Sequence, residues 1–275
     1  MTVYNNILYL KLAALSHFGS FMKKNIIIVV SVLAFLTFLF WIGQIRRPVI
    51  NEMPSTIIVG TSADFQPLSF KQDGKIVGLD IDVITEVCKR LEKPMILKDM
   101  PFELLMPQLQ LGSIQIIAAG LTETPERSER VQFTIPYLTG SPLLVISLAA
   151  KPPIKCIQDL EGKEIIVNQG YTSDLYMSKL PGIHLKRLAT VAEAMLSLTH
   201  ERGDAFVVSA HAIKPYFETH DIGSFNIFTI EETNESASLA VSKDYPILAK
   251  KISAIIQDML EDGTIQQYKD TWHIQ

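Results

Sequence analysis

The sequence predicts an α/β fold in which parallel sheets are covered by helices. Three observations lead there. Short apolar runs, several ending in glycine, alternate with stretches of helical periodicity. The alternation recurs in both halves of the chain beyond residue 56. Finally, 48% apolar side chains across 275 residues supply a core for one large domain or two of ordinary size.

IIVG at 57–60 is the first strand, and KQDGK at 71–75 reads as a hairpin-like turn. From Asp80 the apolar positions Ile81, Ile84, Val87, Cys88 and Leu91 keep helical spacing. Asp80 and Asp82 stand near the positive end of that helix, and Lys89 and Arg90 near its negative end. A second short helix is expected over 103–111, stopped by Gly112, with Pro107 working against it. IQIIAAG at 114–120 is the next strand. In the second half, EIIVNQG (164–170) reads as a strand feeding a helix over YTSDLYMSKL. TVAE at 190–193 is a capping box, opening a helix expected to end at Arg202 with Gly203 as its cap. AFVVSA (205–210) is another strand, and Leu248, Ile252, Ile255, Ile256 and Met259 form one face of a long last helix closed at Gly263. In such folds ligands bind outside the carboxyl ends of the strands.

The net charge of -4 conceals an asymmetry. Residues 1–47 hold Lys11, Lys23, Lys24, Arg46 and Arg47 and no acid, so the remainder has 20 bases against 29 acids, about -9. Nucleic acid is therefore not an expected partner, because phosphate binding relies on concentrated Lys and Arg. From Asn25 to Ile45 no residue is charged, and the run is long enough to cross a bilayer as a helix. A start at Met22 would place MKKN before it, the form of a bacterial export signal, and make residues 1–21 an over-extended start. No Ala-x-Ala site follows and Arg46 and Arg47 do, so the run reads as an export signal able to remain as a membrane anchor. Cys88 falls on an apolar helical stripe and reads as a buried free thiol. No zinc spacing, phosphate loop, HExxH helix or GxSxG elbow is present, so no metal, cofactor or catalytic residue is expected.

VGTSADFQPLSF, GLDIDVITEVCKRL, LTETPER, FTIPY, DLEGKEIIVNQGYTS, RGDA and EDGTIQQYKDTW stand in an order and at spacings that resemble the polar-amino-acid family of periplasmic solute-binding proteins, the receptors of ABC importers. The likeness runs from about Ile57 to Trp272. It implies a two-lobed periplasmic-binding-protein (Venus flytrap) fold of type II with two crossing hinge strands. Residues 57–141 and 238–275 would form lobe 1 and 142–237 lobe 2, after an extension at 1–47 and a linker at 48–56. It also implies a monomeric, non-enzymatic receptor in the periplasm that carries a small polar amino acid to an inner-membrane ABC permease.

The resemblance assigns ligand contacts to Ser62, Asp64, Phe65, Phe102, Gly120, Thr122, Arg127, Gly170, Thr172 and Ser209. Physical reasons stand beside several of them. Thr124 is a plausible N-cap with Pro125 at the first helical position, so a carboxylate near Arg127 would meet a forked cation and free N–H groups together. A solvated arginine on a charged helix is the competing reading. Gly120 allows close approach of the main chain, and Thr122 is otherwise an ordinary loop residue. Gly170 and Thr172 end a strand and start a helix, where an unliganded cap is the alternative. Phe65 and Phe102 would pack on the solute side chain, although most phenylalanines are core. Phe65, beside Gln66 and Pro67, looks poorly placed for the interior. Asp64 would read a cationic side chain, favouring arginine or another basic amino acid, or else cap a turn.

One departure bears on the ligand. The family usually places an acid for the solute's ammonium where this chain has Ser209, so either another acid such as Asp64 or Glu235 serves or the solute is not an ordinary α-amino acid. Two other function classes compete with the receptor. One is a membrane-tethered ligand sensor. The other is a cyclohexadienyl-type dehydratase on the same fold, with His211 or Glu123 as its acid or base.

Overall fold

The computed structural model describes residues 49–274 together with Ser31, Ala34, Phe35, Thr37 and Phe38. The expected export signal or anchor at 25–45 therefore falls largely outside the described residues, as does the choice between Met1 and Met22. Among the described residues no helix is long and apolar enough to cross a membrane. The chain divides into two compact units, Met1–Pro48 and Val49–Gln275.

The strands of the second unit are β1 (Ile57–Thr61), β2 (Asp64–Phe65), β3 (Ser69–Gln72), β4 (Lys75–Val77), β5 (Met95–Asp99), β6 (Ile116–Leu121), β7 (Gln132–Phe133), β8 (Leu138–Leu148), β9 (Glu164–Asn168), β10 (His184–Leu188), β11 (Ala205–Ser209) and β12 (Phe225–Val241). Its α-helices are α1 (Leu79–Arg90), α2 (Phe102–Leu111), α3 (Pro125–Ser128), α4 (Thr172–Met177), α5 (Val191–Thr199), α6 (Ala210–Phe217), α7 (Pro246–Glu261) and α8 (Thr264–Thr271).

Local chemistry accounts for most boundaries. Between β3 and β4 the two-residue loop Asp73–Gly74 has positive φ at both positions (51° and 74°), the mirror-image turn that matches strand twist. In α1 the stripe Leu79, Val83, Ile84, Val87 and Cys88 is buried, and Cys88 is a free thiol pushed up to about 11 by burial. α2 keeps Pro107 inside it, because burial of Leu105 and Leu109 outweighs the lost backbone bond, and ends on left-handed Gly112. Thr190 and Glu193 form both bonds of the capping box on α5.

The C-terminal end of α5 corrects the sequence reading. The helix stops at Thr199, and Glu201 (φ 54°), not Gly203, takes the left-handed position, with Arg202 N–H returning to the Ser197 carbonyl at 2.9 Å. Gly203 is required for another reason: a Cβ there would lie 2.7 Å from the Ile166 side chain.

Among the described residues the main sheet has nine strands in the order β10-β9-β11-β8-β12-β6-β1-β5, with β7 pairing β12 off that path. β1 is parallel to β5 and β6, and β9 is parallel to β10 and β11. Between these parallel groups run β8 and β12, antiparallel to each other from Phe225↔Leu148 to Ala237↔Leu138. β12 then continues to pair β6 from Ser238 to Val241. The fold is thus two α/β lobes linked by two strands. Apolar clusters fill both, around Ile57, Leu79, Ile116 and Ile252 in one lobe and around Leu143, Ile165, Val167 and Val207 in the other.

Candidate functional site

The carboxyl ends of β1, β6, β9 and β11 point to one cleft between the lobes, and the groups there are positioned by specific bonds. Thr124 caps α3, accepting from Arg127 N–H at 3.2 Å, with Pro125 at the first helical position. That short turn aims Arg127 into the cleft, where its side chain is only 6% exposed. The guanidinium donates to the Thr122 carbonyl at 2.7 Å in its own lobe and to the Gly170 carbonyl at 2.9 Å in the other. Burial lowers its affinity for the proton to about 10, against the pull of Glu235 and Glu126, so it is charged at any physiological pH.

Glu235 supplies the opposite charge. β12 loses register with β8 between Ile230 and Glu235 and again between Glu235 and Ser236. Irregularities of this kind re-aim side chains, and here Glu235 lies beside the hydroxyls of Ser209 and Thr172 and within electrostatic range of Arg127. Burial pushes its carboxyl above the ordinary glutamate value, while the two hydroxyls and the guanidinium oppose that rise. With Phe65, Gly120, Ser141 and Ser209, Glu235 lines a cavity of about 20 Å³. Arg127 lines a different, larger cavity of about 380 Å³, with Leu105 and Leu121 among its apolar walls. Another, of about 270 Å³, lies against His211, Lys214 and Trp272 and touches none of the ten predicted contacts.

Of the ten residues, Phe65, Gly120 and Ser209 line the smaller cavity, Phe102, Arg127 and Gly170 the larger, and Thr172 lies beside Glu235; not all offer the group expected. Thr122 spends its hydroxyl on β12, donating to the Ser236 carbonyl at 2.7 Å and accepting from Ser236 N–H at 3.2 Å. Ser62 donates to the Asp64 carboxylate at 2.7 Å, and Asp64 is exposed, which is turn chemistry. Ser209 also caps α6, accepting from Ala212 N–H at 3.3 Å. Gly170 donates its N–H to Asp174 at 3.0 Å while its carbonyl takes Arg127. Phe65 is buried and belongs to the lobe core, contrary to its poor prospects in sequence, because the cleft wall and the core share that ring. Phe102 is half-buried at the start of α2. Of the acid–base candidates, Glu123 is exposed and accepts from Ser128 at 2.8 Å. His211 is held below its ordinary value by burial and by Lys214 and Lys269.

Two residues escaped the list. Asp80, read from its position as a helix-end acid, is fully buried; it accepts from the Tyr137 hydroxyl at 2.8 Å and from the Gly120 N–H. Gly120 itself has φ 60°, and a Cβ there would run into the Phe65 ring, so glycine is the residue that fits. Tyr171 crosses from the second lobe to Phe65 and Phe102.

Two α/β lobes joined by two strands, with a buried arginine and a half-buried glutamate between them, define a solute-binding protein. Residues 57–275 match the family of bacterial extracellular solute-binding proteins, family 3, and the chain belongs to that family. It is 25% identical over 220 residues to the arginine-binding extracellular protein ArtP of Bacillus subtilis (strain 168), covering 78% of this chain and 85% of that protein. It is 29% identical to a probable histidine-binding protein of Campylobacter jejuni subsp. jejuni serotype O:2, with 80% and 88% covered. Among solved structures, an ancestral arginine-binding protein bound to glutamine matches with a TM-score of 0.73 at 32% identity, covering 80% of this chain and 99% of that one. These relatives are binding proteins, and the family is extracellular.

Proposed function

We propose that the protein is an extracytoplasmic receptor that closes two lobes on a polar α-amino acid and presents it to an inner-membrane ABC permease. The observation that carries this reading is the pairing of a buried Arg127 with Glu235 in one inter-lobe cleft. A zwitterion has one charge for each: its carboxylate suits the forked guanidinium and the N–H groups that start α4, and its ammonium suits Glu235 with the Ser209 and Thr172 hydroxyls. Glu235 on the hinge strand thereby serves where the family's usual acid is replaced by Ser209. Names of relatives that bind arginine, histidine and glutamine support an amino acid as the solute class.

Closure follows from contacts made by both lobes at once, so the liganded state favours the closed form. β8 and β12 are the hinge, working as a monomer, and the uncharged run at 25–45 directs the protein to the periplasmic face of the membrane. Catalysis is not part of this reading: Glu123 is exposed and accepts from Ser128, and His211, which lines the small cavity beside Glu235, is the one acid–base candidate there.

The test is thermal melting of the full-length protein with amino acids, with acids lacking the ammonium, and with amines lacking the carboxylate. A ligand specific to the folded state raises the melting point. At least one α-amino acid should do so, and neither truncated class should match it. Stabilisation by acids alone would remove Glu235 from the site, and no stabilisation by any amino acid would remove the receptor reading.

A further inference from the structure

The two phenylalanines that line the first lobe's side of the cleft are already in contact with a third ring. Tyr171, at the N-cap of α4 in the second lobe, meets Phe65 edge-on at 5.7 Å between centroids and Phe102 in a tilted contact at 4.4 Å. At such separations ring atoms touch, and no methylene chain passes between either pair. The backbone carbonyl of Tyr171 accepts from Leu175 N–H at 3.1 Å and its N–H donates to Asn168 at 3.1 Å, so its Cα is fixed at the strand-to-helix turn. Phe102 also packs near Gly170, 3.9 Å from where a Cβ would sit. Burial above all, and then the charges of Asp64, Glu103 and Glu235, keep the phenol protonated.

Resting on the amino-acid-receptor reading above, we propose that Tyr171 is a specificity-determining residue: it fills the side-chain subsite between Phe65 and Phe102 and restricts the solute to α-amino acids with short side chains. When the lobes close, Tyr171 arrives with the second lobe and takes the space that an extended side chain would need. A short side chain instead meets Ser141 and Ser209, which line a small cavity with Phe65 that Tyr171 does not line. Long solutes would have to expel the tyrosine and both of its ring contacts, and that cost falls on them alone.

Calorimetric titration of the full-length protein with glycine, alanine, serine, glutamine and arginine tests this. Wild type should bind one or more of the first three more tightly than glutamine or arginine. In Tyr171→Ser the ratio of long-chain to short-chain affinity should rise about tenfold or more, as expected when an occupied pocket is opened. Tyr171→Phe, which keeps the ring, should leave the wild-type order in place. Tighter wild-type binding of arginine or glutamine than of every short amino acid would overturn the inference while leaving the receptor reading intact, and would do so whether or not the serine variant folds. An unchanged ratio in a folded Tyr171→Ser would overturn it equally. Failure of all five solutes, with no other amino acid raising the melting point, would overturn the receptor reading and this inference with it.

Discussion

Replacing Asp80 by asparagine should flatten the pH dependence of stability between about pH 4 and pH 7. Asp80 is fully buried beneath Gly120, and burial lifts its carboxyl from 3.8 to about 7, against the two hydrogen bonds from Tyr137 and Gly120. The sign follows from proton binding. Between those two values the folded protein holds a proton that the unfolded chain has released, so stability is greater at the acid end and falls as pH rises. Each unit is worth about 1.4 kcal/mol, and the whole interval amounts to about 4 kcal/mol. Asparagine is close in shape, accepts from one partner, donates to the tyrosine oxygen and does not titrate. Urea unfolding of wild type and variant, followed by tryptophan fluorescence at pH 4.5, 5.5, 6.5 and 7.5, isolates the Asp80 contribution, because other titrating groups cancel in the difference. The variant should gain on wild type steadily across the series. Parallel stability curves for the two proteins would refute the buried-acid argument.

Arg127→Lys keeps the charge but gives up the planar fork that serves Thr122 and Gly170 together. Amino-acid binding should weaken by about tenfold to a hundredfold in calorimetry, as for loss of one charge-assisted hydrogen bond, and unchanged binding would take Arg127 out of the site. Gly203→Ala should cost about 1–3 kcal/mol in urea denaturation, since the new methyl would press on Ile166; an unaltered midpoint would mean Ile166 moves freely. The Lys179–Glu126 pair joins the lobes at 2.6 Å, yet both side chains are largely exposed. Lys179→Ala should therefore change affinity by less than about threefold, and any change should vanish on adding salt; a large, salt-resistant loss would show this pair to be part of the grip.

Signals that depend on a few neighbouring residues were legible in the chain. The Thr190–Glu193 capping box, the left-handed Gly112 and Gly263, and the Thr124–Pro125 start of α3 all formed as their spacing requires, because a helix end is satisfied by groups within one turn of it. The ordered motifs from VGTSADF to EDGTIQQYKDTW likewise sufficed to name the family. The α5 terminus failed locally: Gly203 resembles a cap in sequence, but contact with Ile166 on β9 is what demands a glycine there.

The site itself was only partly readable. Arg127 could be singled out from the chain, while its partners Thr122 and Gly170 come from opposite lobes. Asp80 became a buried acid only through Tyr137 and Gly120, Glu235 faced the cleft only because β12 slips register against β8, and Tyr171 became a third ring only when the second lobe met Phe65 and Phe102. Local hydrogen bonding is set by residues a turn or two apart, so sequence alone determines it. A side chain's dielectric surroundings and its charged or aromatic neighbours come from distant segments, and those were decided by the way the two lobes pack.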